Sequence, residues 1–74
     1  MQKVKISDYI IEFEDGLKTY EDIKNKRIAI LSEEDDEIHI TIELNESNKL
    51  ILHPRWNINI TYENDKHLLL TTNK

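Results

Sequence analysis

His39 and His53 are the side chains in this sequence best suited to acid–base or metal chemistry, and their spacing brings them close together. Both lie on the polar parity of alternating stretches. Ile38, Ile40, Ile42 and Leu44 alternate with Glu37, His39, Thr41 and Glu43, and Leu50, Leu52, Pro54, Trp56, Ile58, Ile60 and Tyr62 alternate with polar partners. A three-residue loop Glu46-Ser47-Asn48 between the stretches sets His39 opposite Arg55 and His53 opposite Thr41. The two imidazoles then become diagonal neighbours about 7–8 Å apart, with Glu37 and Glu43 nearby. Two imidazoles and a carboxylate are a ligand set for a divalent metal. The same pattern describes a plain solvated sheet face, and nothing in the sequence orients either ring from behind. The solvated face is the preferred reading, so replacing both histidines with alanine is expected to leave the fold intact. Catalysis on these rings would also need a pocket and a nucleophile or oxyanion donor. A 74-residue chain with no cysteine and one glycine offers little of either. We therefore expect no enzyme, no cofactor and no bound metal.

Glu33, Glu34, Asp35, Asp36 and Glu37 form an unbroken acidic run at the tip of a predicted hairpin. Such a run is a solvated turn or, functionally, an electrostatic docking knob for a basic partner. Its spacing lacks the alternating ligands and central glycine of an EF-hand calcium loop. Trp56 falls on the apolar parity and is expected to anchor the core rather than to offer a stacking platform. Tyr9, Tyr20 and Tyr62 are read as core or rim.

Composition narrows the function classes. A formal charge of −5 argues against a general phosphate-backbone binder, which needs clustered Lys and Arg. Without cysteine the chain has neither disulfides nor thiolate metal sites, which fits a reducing compartment. The longest uninterrupted apolar runs are Leu50-Ile51-Leu52 and Leu68-Leu69-Leu70, far short of a membrane span, and no signal-peptide stretch is evident. The expected location is the cytoplasm. Abundant Ile, Asn, Lys and Glu with very little Ala or Gly is the signature of AT-rich codons, and points to a low-GC bacterium or its phages as the source.

These residues must be positioned by strands. The expected fold is mainly β with a short helix, a small α+β domain built on an antiparallel meander of about five strands that curls into a partly open barrel or stays an open sheet. The whole chain 1–74 is one domain, with strands over 3–14, 27–33, 37–44, 49–63 and 67–72 and a helix over about 19–25. Register is testable, because residues paired across a hairpin share a face. The loop 46–48 pairs Leu44 with Leu50, Ile42 with Leu52 and Ile38 with Trp56, leaving Asn48 at the left-handed position. The loop 34–36 pairs Ile30 with Ile40, Ile28 with Ile42 and Arg27 with Glu43. A loop 64–66 pairs Tyr62 with Leu68 and Ile60 with Leu70, with Lys66 as a poor left-handed residue. Pro54 lacks an N–H and marks an edge or bulge, so the long strand is expected to bend near Pro54-Arg55. In the first third, the strand 3–14 slips near Ser7-Asp8. Asp15-Gly16 is a strong hairpin signal, yet Thr19-Tyr20-Glu21-Asp22 resembles a capping box with Leu17, Tyr20 and Ile23 at helical spacing. The helix is preferred there over a further strand.

Leu31, Ile51 and Leu69 are apolar residues on the polar parity and call for cover from another segment or chain. Together with the acidic run, His39, His53 and Arg55, they make up the candidate partner surface. The last strand, 67–72, is read as an exposed edge through which a homodimer could form. The expected function is a non-enzymatic protein-binding module, of the kind a phage or mobile element encodes to inhibit or modulate a host protein. The alternatives are a small β-barrel that binds single-stranded nucleic acid or a peptide, and a structural homo-oligomer. No membrane partner is expected, and nucleic acid is the weaker of the binding options.

Overall fold

The computed structural model describes residues 1–73. Eight strands follow one another: β1 (Gln2–Ile6), β2 (Tyr9–Phe13), β3 (Leu17–Asp22), β4 (Arg27–Ser32), β5 (Ile38–Leu44), β6 (Leu50–Pro54), β7 (Asn59–Asn64) and β8 (His67–Thr71). They form two four-stranded sheets, ordered β1-β2-β8-β7 and β3-β4-β5-β6. The central third of the chain is therefore a simple antiparallel meander. The N-terminal and C-terminal hairpins join into the other sheet through a parallel β2–β8 pairing, Ile11 opposite Leu68 and Phe13 opposite Leu70.

Each sheet has one apolar face, and the two faces close on a single core, the sandwich solution to burying alternating strands. Ile11, Phe13, Leu68 and Leu70 come from one sheet and Leu17, Ile28, Ile30, Ile40 and Ile42 from the other. Val4, Leu44, Leu50, Leu52, Ile58 and Ile60 pack around that cluster, half-buried. The sheet is neither a single meander nor a barrel.

The three predicted registers hold through most of their length. Leu44 pairs with Leu50 and Ile42 with Leu52. Ile30 pairs with Ile40, Ile28 with Ile42 and Arg27 with Glu43. Tyr62 pairs with Leu68 and Ile60 with Leu70. Asn48 takes the expected positive φ of 60°, and Asp36 does the same at the end of the acidic loop (61°). The turn before β8 solves its problem differently. Lys66 avoids the left-handed region; instead a bulge between Tyr62 and Asn64 tightens the connection, and the Asn64 carboxamide accepts the Lys66 N–H at 2.9 Å.

Four expectations require correction. The segment 19–25 is no helix: β3 runs through Asp22 and a turn over 23–26 follows. The resemblance to a capping box arises because the Asp22 carboxylate does cap, but it caps this turn, accepting from the Asn25 backbone and side chain. The helically spaced Tyr20 and Ile23 are exposed, at 70% and 85%, so no amphipathic face exists to stabilise a helix. The segment 3–14 is a hairpin, with Ser7 at a φ of 55° turning the chain so that Ile6 faces Tyr9. Asp15-Gly16 turns a corner between the sheets rather than a hairpin, with Gly16 at a φ of 95° that side-chain-bearing residues rarely adopt. The stretch 49–63 is two strands. It breaks after Pro54, on the edge strand β6, and crosses at 55–58 into the other sheet, so its halves do pair backward and forward as expected, but in different layers.

No helix among the described residues is long and apolar enough to cross a membrane.

Candidate functional site

His39 is where the sequence-based register fails, and the failure builds the site. The β4–β5 ladder shifts between Ile30 and Leu31: Ile30 faces Ile40, but Leu31 faces Ile38, leaving His39 as the extra residue of a β-bulge. A bulge resets parity. Ile38 turns to the outer face and pairs with Leu31, while His39 turns inward beside Ile40, and both are buried. The expected His39–Arg55 and Ile38–Trp56 pairings do not form. His53 does pair with Thr41, on the outer face, and the two histidines do not share a face. Among the described residues no three His, Asp or Glu side chains converge to hold a metal.

His39 instead organises the crossing from one sheet to the other. Its carbonyl accepts the N–H groups of Arg55 (2.8 Å) and Trp56 (3.3 Å). Its Nδ1 lies 3.1 Å from the Trp56 carbonyl, which only accepts, so the ring must carry its proton on Nδ1 to make that bond. The imidazole stacks on the Trp56 indole with centroids 5.1 Å apart and planes 28° from parallel. Trp56 is 47% exposed, which corrects its expected place in the core. It lies in the crossing, so the inward parity of its stretch no longer applies.

Around this stack is a cleft of about 400 Å³ at one end of the sandwich. The corner after β2 contributes Glu14 and Asp15, and the β4–β5 loop contributes Glu34 and Asp35. Among the described residues no Lys or Arg lines it. Glu14 is anchored, accepting from the backbone and hydroxyl of Thr72 and so tying the end of β8 to the corner. Within the loop, Ser32 and Asp35 side chains accept the Glu34 and Glu37 N–H groups, which fixes its shape. Asp36 points elsewhere and pairs with Lys18. The predicted acidic knob is thus a structured rim beside an exposed aromatic, a combination that attracts a cation both by charge and through the ring face.

The remaining predicted residues divide between other surfaces. His53 Nε2 donates to a Glu43 carboxylate oxygen at 2.9 Å, and Arg27 reaches the other Glu43 oxygen at 3.4 Å. The His53 hydrogen bond, helped by the charges of His53 and Arg27, holds the Glu43 carboxyl below its ordinary value. Arg55 lines a shallow depression with that group. Leu31 and Ile51 lie on the outer face of the meander sheet and Leu69 on the outer face of the other, so they form no common patch. Each is half-buried by its neighbours. The 67–72 strand is not an edge: β8 sits between β2 and β7, which removes it as a dimer contact. A parallel pairing of residues 57 apart in the chain, such as Ile11 with Leu68, leaves no local signal. The contribution of Asp15 and Glu14 to the site was likewise missed, although the acid beside Gly16 was visible. Comparison with known protein families, curated proteins and solved structures returns no match.

Proposed function

We propose that the protein is a non-enzymatic binding module that receives a basic segment of a partner protein at the acidic, aromatic end of the sandwich. The observation that supports this reading most strongly is the cleft in which Asp15, Glu34 and Asp35 stand beside the His39–Trp56 stack, with the exposed indole face within reach of their carboxylates. An arginine side chain suits such a cleft best, because its planar guanidinium can stack on the indole while its N–H groups reach the carboxylates. Long-range attraction from the acidic loop would speed encounter and disfavour acidic competitors. The same features count against a single-stranded nucleic-acid binder, which presents exposed aromatics among Lys and Arg. Inhibition or modulation of a host protein would follow if the occupied segment were itself functional, such as a nucleic-acid-binding stretch rich in arginine.

Selection from a random peptide library on the immobilised protein tests this directly. Trp56 is the only tryptophan, so its fluorescence reports binding at the site itself. Enriched peptides should carry arginine, change Trp56 emission, and lose about tenfold in affinity against the Glu34→Lys/Asp35→Lys protein. Enrichment of acidic or purely apolar peptides, or binding that leaves Trp56 emission unchanged, would overturn the proposal.

A further inference from the structure

The sandwich has four edge strands, and they are not equally protected. β1 presents two exposed lysines, Lys3 and Lys5. β6 ends in Pro54, and β7 carries the bulge before Asn64. Each is a device that discourages further pairing. β3 has neither proline nor bulge, and its one lysine, Lys18, is held by Asp36 of its own chain; its six residues pair with β4 in unbroken register from Leu17–Ser32 to Asp22–Arg27, and Tyr20 stands exposed at its centre.

The ladder shows which backbone groups β3 leaves over. The Glu33 N–H donates to the Gly16 carbonyl at 3.0 Å, which makes Leu17–Ser32 a pair without mutual hydrogen bonds. Alternation then commits the N–H and C=O of Lys18, Tyr20 and Asp22 to β4 and turns those of Thr19 and Glu21 off the edge. The Leu17 carbonyl is already taken by the Gln2 side chain at 2.8 Å, so pairing is confined to 18–22.

We infer that a second copy of this chain pairs with β3 antiparallel, about a two-fold axis through Tyr20, to make one continuous eight-stranded sheet. In that register Thr19 and Glu21 exchange N–H···O=C bonds with Glu21 and Thr19 of the other copy. Inner and outer faces are preserved, as a continuous sheet requires. On the outer face Tyr20 meets Tyr20, in the closer, non-hydrogen-bonded type of pair, and Lys18 of each copy stands opposite Asp22 of the other. The strand is therefore self-complementary in charge, in aromatic contact and in backbone bonding, as a two-fold interface demands. Shifting the register by two residues places Lys18 opposite Tyr20 and loses both matches. This surface is separate from the acidic cleft, so a failure of either proposal leaves the other standing.

Sedimentation of the full chain over a range of concentrations up to about 1 mM should show a monomer–dimer equilibrium, the weak kind expected of a contact this small. Tyr20→Lys, on an exposed side chain, should weaken dimerisation about tenfold by setting like charges face to face, without lowering the melting temperature of the monomer. Thr19→Pro removes an outward N–H while sparing the ladder to β4, and should abolish the dimer. Because the chain has no cysteine, Tyr20→Cys provides a positional test: mild oxidation should give a disulfide-linked dimer, whereas Glu63→Cys on β7 should not. A protein that stays monomeric at about 1 mM overturns the inference. So does a dimer that is indifferent to Tyr20→Lys and cross-links no better through position 20 than through position 63.

Discussion

The two ends of the sandwich are made of the same kind of material, turns and strand termini rich in charge, yet they differ in how that charge is balanced. At the end formed by the turns after β1, β3 and β5, a cleft of about 420 Å³ has an apolar floor. Lys5, Lys26 and Arg27 line it together with Glu21 and Asp22, so the signs are interspersed. Asp22 is also tied to Asn25, whose hydrogen bonds hold its carboxyl below the ordinary value. At the opposite end Asp15, Glu34 and Asp35 line the cleft, no Lys or Arg among the described residues joins them in its lining, and an aromatic side chain stands beside them. Balanced charge contributes solubility and a little stability. Carboxylates gathered in one loop and held in a fixed shape cost stability through self-repulsion, and such a cost is commonly found where a surface binds something.

Substitutions can break or sharpen this contrast, and the largest effect comes from the core that both ends share. Ile40→Asp places a carboxylate where the side chain is wholly buried, and the domain should be unfolded by circular dichroism at 25 °C. The two histidines give the next and most informative difference. His39→Ala removes a buried ring that carries the crossing and stacks on Trp56, and should cost about 2–4 kcal/mol, read as a clear fall in the thermal midpoint. His53→Ala removes half of an exposed ion pair and should leave the midpoint unchanged within error. Equal effects from the two would mean that the bulge does not place His39 inward.

The acid limb of stability separates the ends more finely. Glu43 and Asp22 have carboxyls held low in the folded chain, so each stabilises the fold above its ordinary value and loses that contribution as pH falls through the lowered one. The decline should begin only below about pH 4.5 for Glu43, and Glu43→Gln should flatten it. The smallest effect is expected from Glu34→Lys/Asp35→Lys in the absence of any ligand. Relief of repulsion within the acidic loop should hold the midpoint steady or raise it slightly, while affinity for basic peptides falls.

How much of this was legible in the sequence depends on range. Hairpin registers were readable because parity and loop length act over a few residues, and Leu44–Leu50, Ile30–Ile40 and Ile60–Leu70 all follow from them. His39 was misplaced because a bulge inserts one residue without a distinctive composition, and the parity of His39 and Ile38 at the start of β5 then inverts. That single insertion moved Ile38 outward to cover Leu31 and moved His39 from a solvated face into the site. The helix at 19–25 was suggested by a chance 3–4 spacing of Leu17, Tyr20 and Ile23, two of which face solvent on an edge strand and its turn. The parallel β2–β8 pairing was invisible because no local feature distinguishes an interior parallel strand from an edge one when both read as short apolar runs. The acidic loop was found, since like charges in sequence stay together in space. Its companions Glu14, Asp15 and Trp56 come from other turns, and only the closure of the sandwich brings them to it.

The central claim is that the acidic, aromatic end, and not the end of mixed charge, receives the partner. Amide NMR of the labelled protein during titration with an arginine-containing peptide tests it most directly. The account predicts shifts clustered at 14–17, 32–39, 56–57 and 72, with the Trp56 indole N–H among the largest. Shifts centred on 5–7, 21–28 and 44–48, or spread evenly over every surface carboxylate, would contradict it.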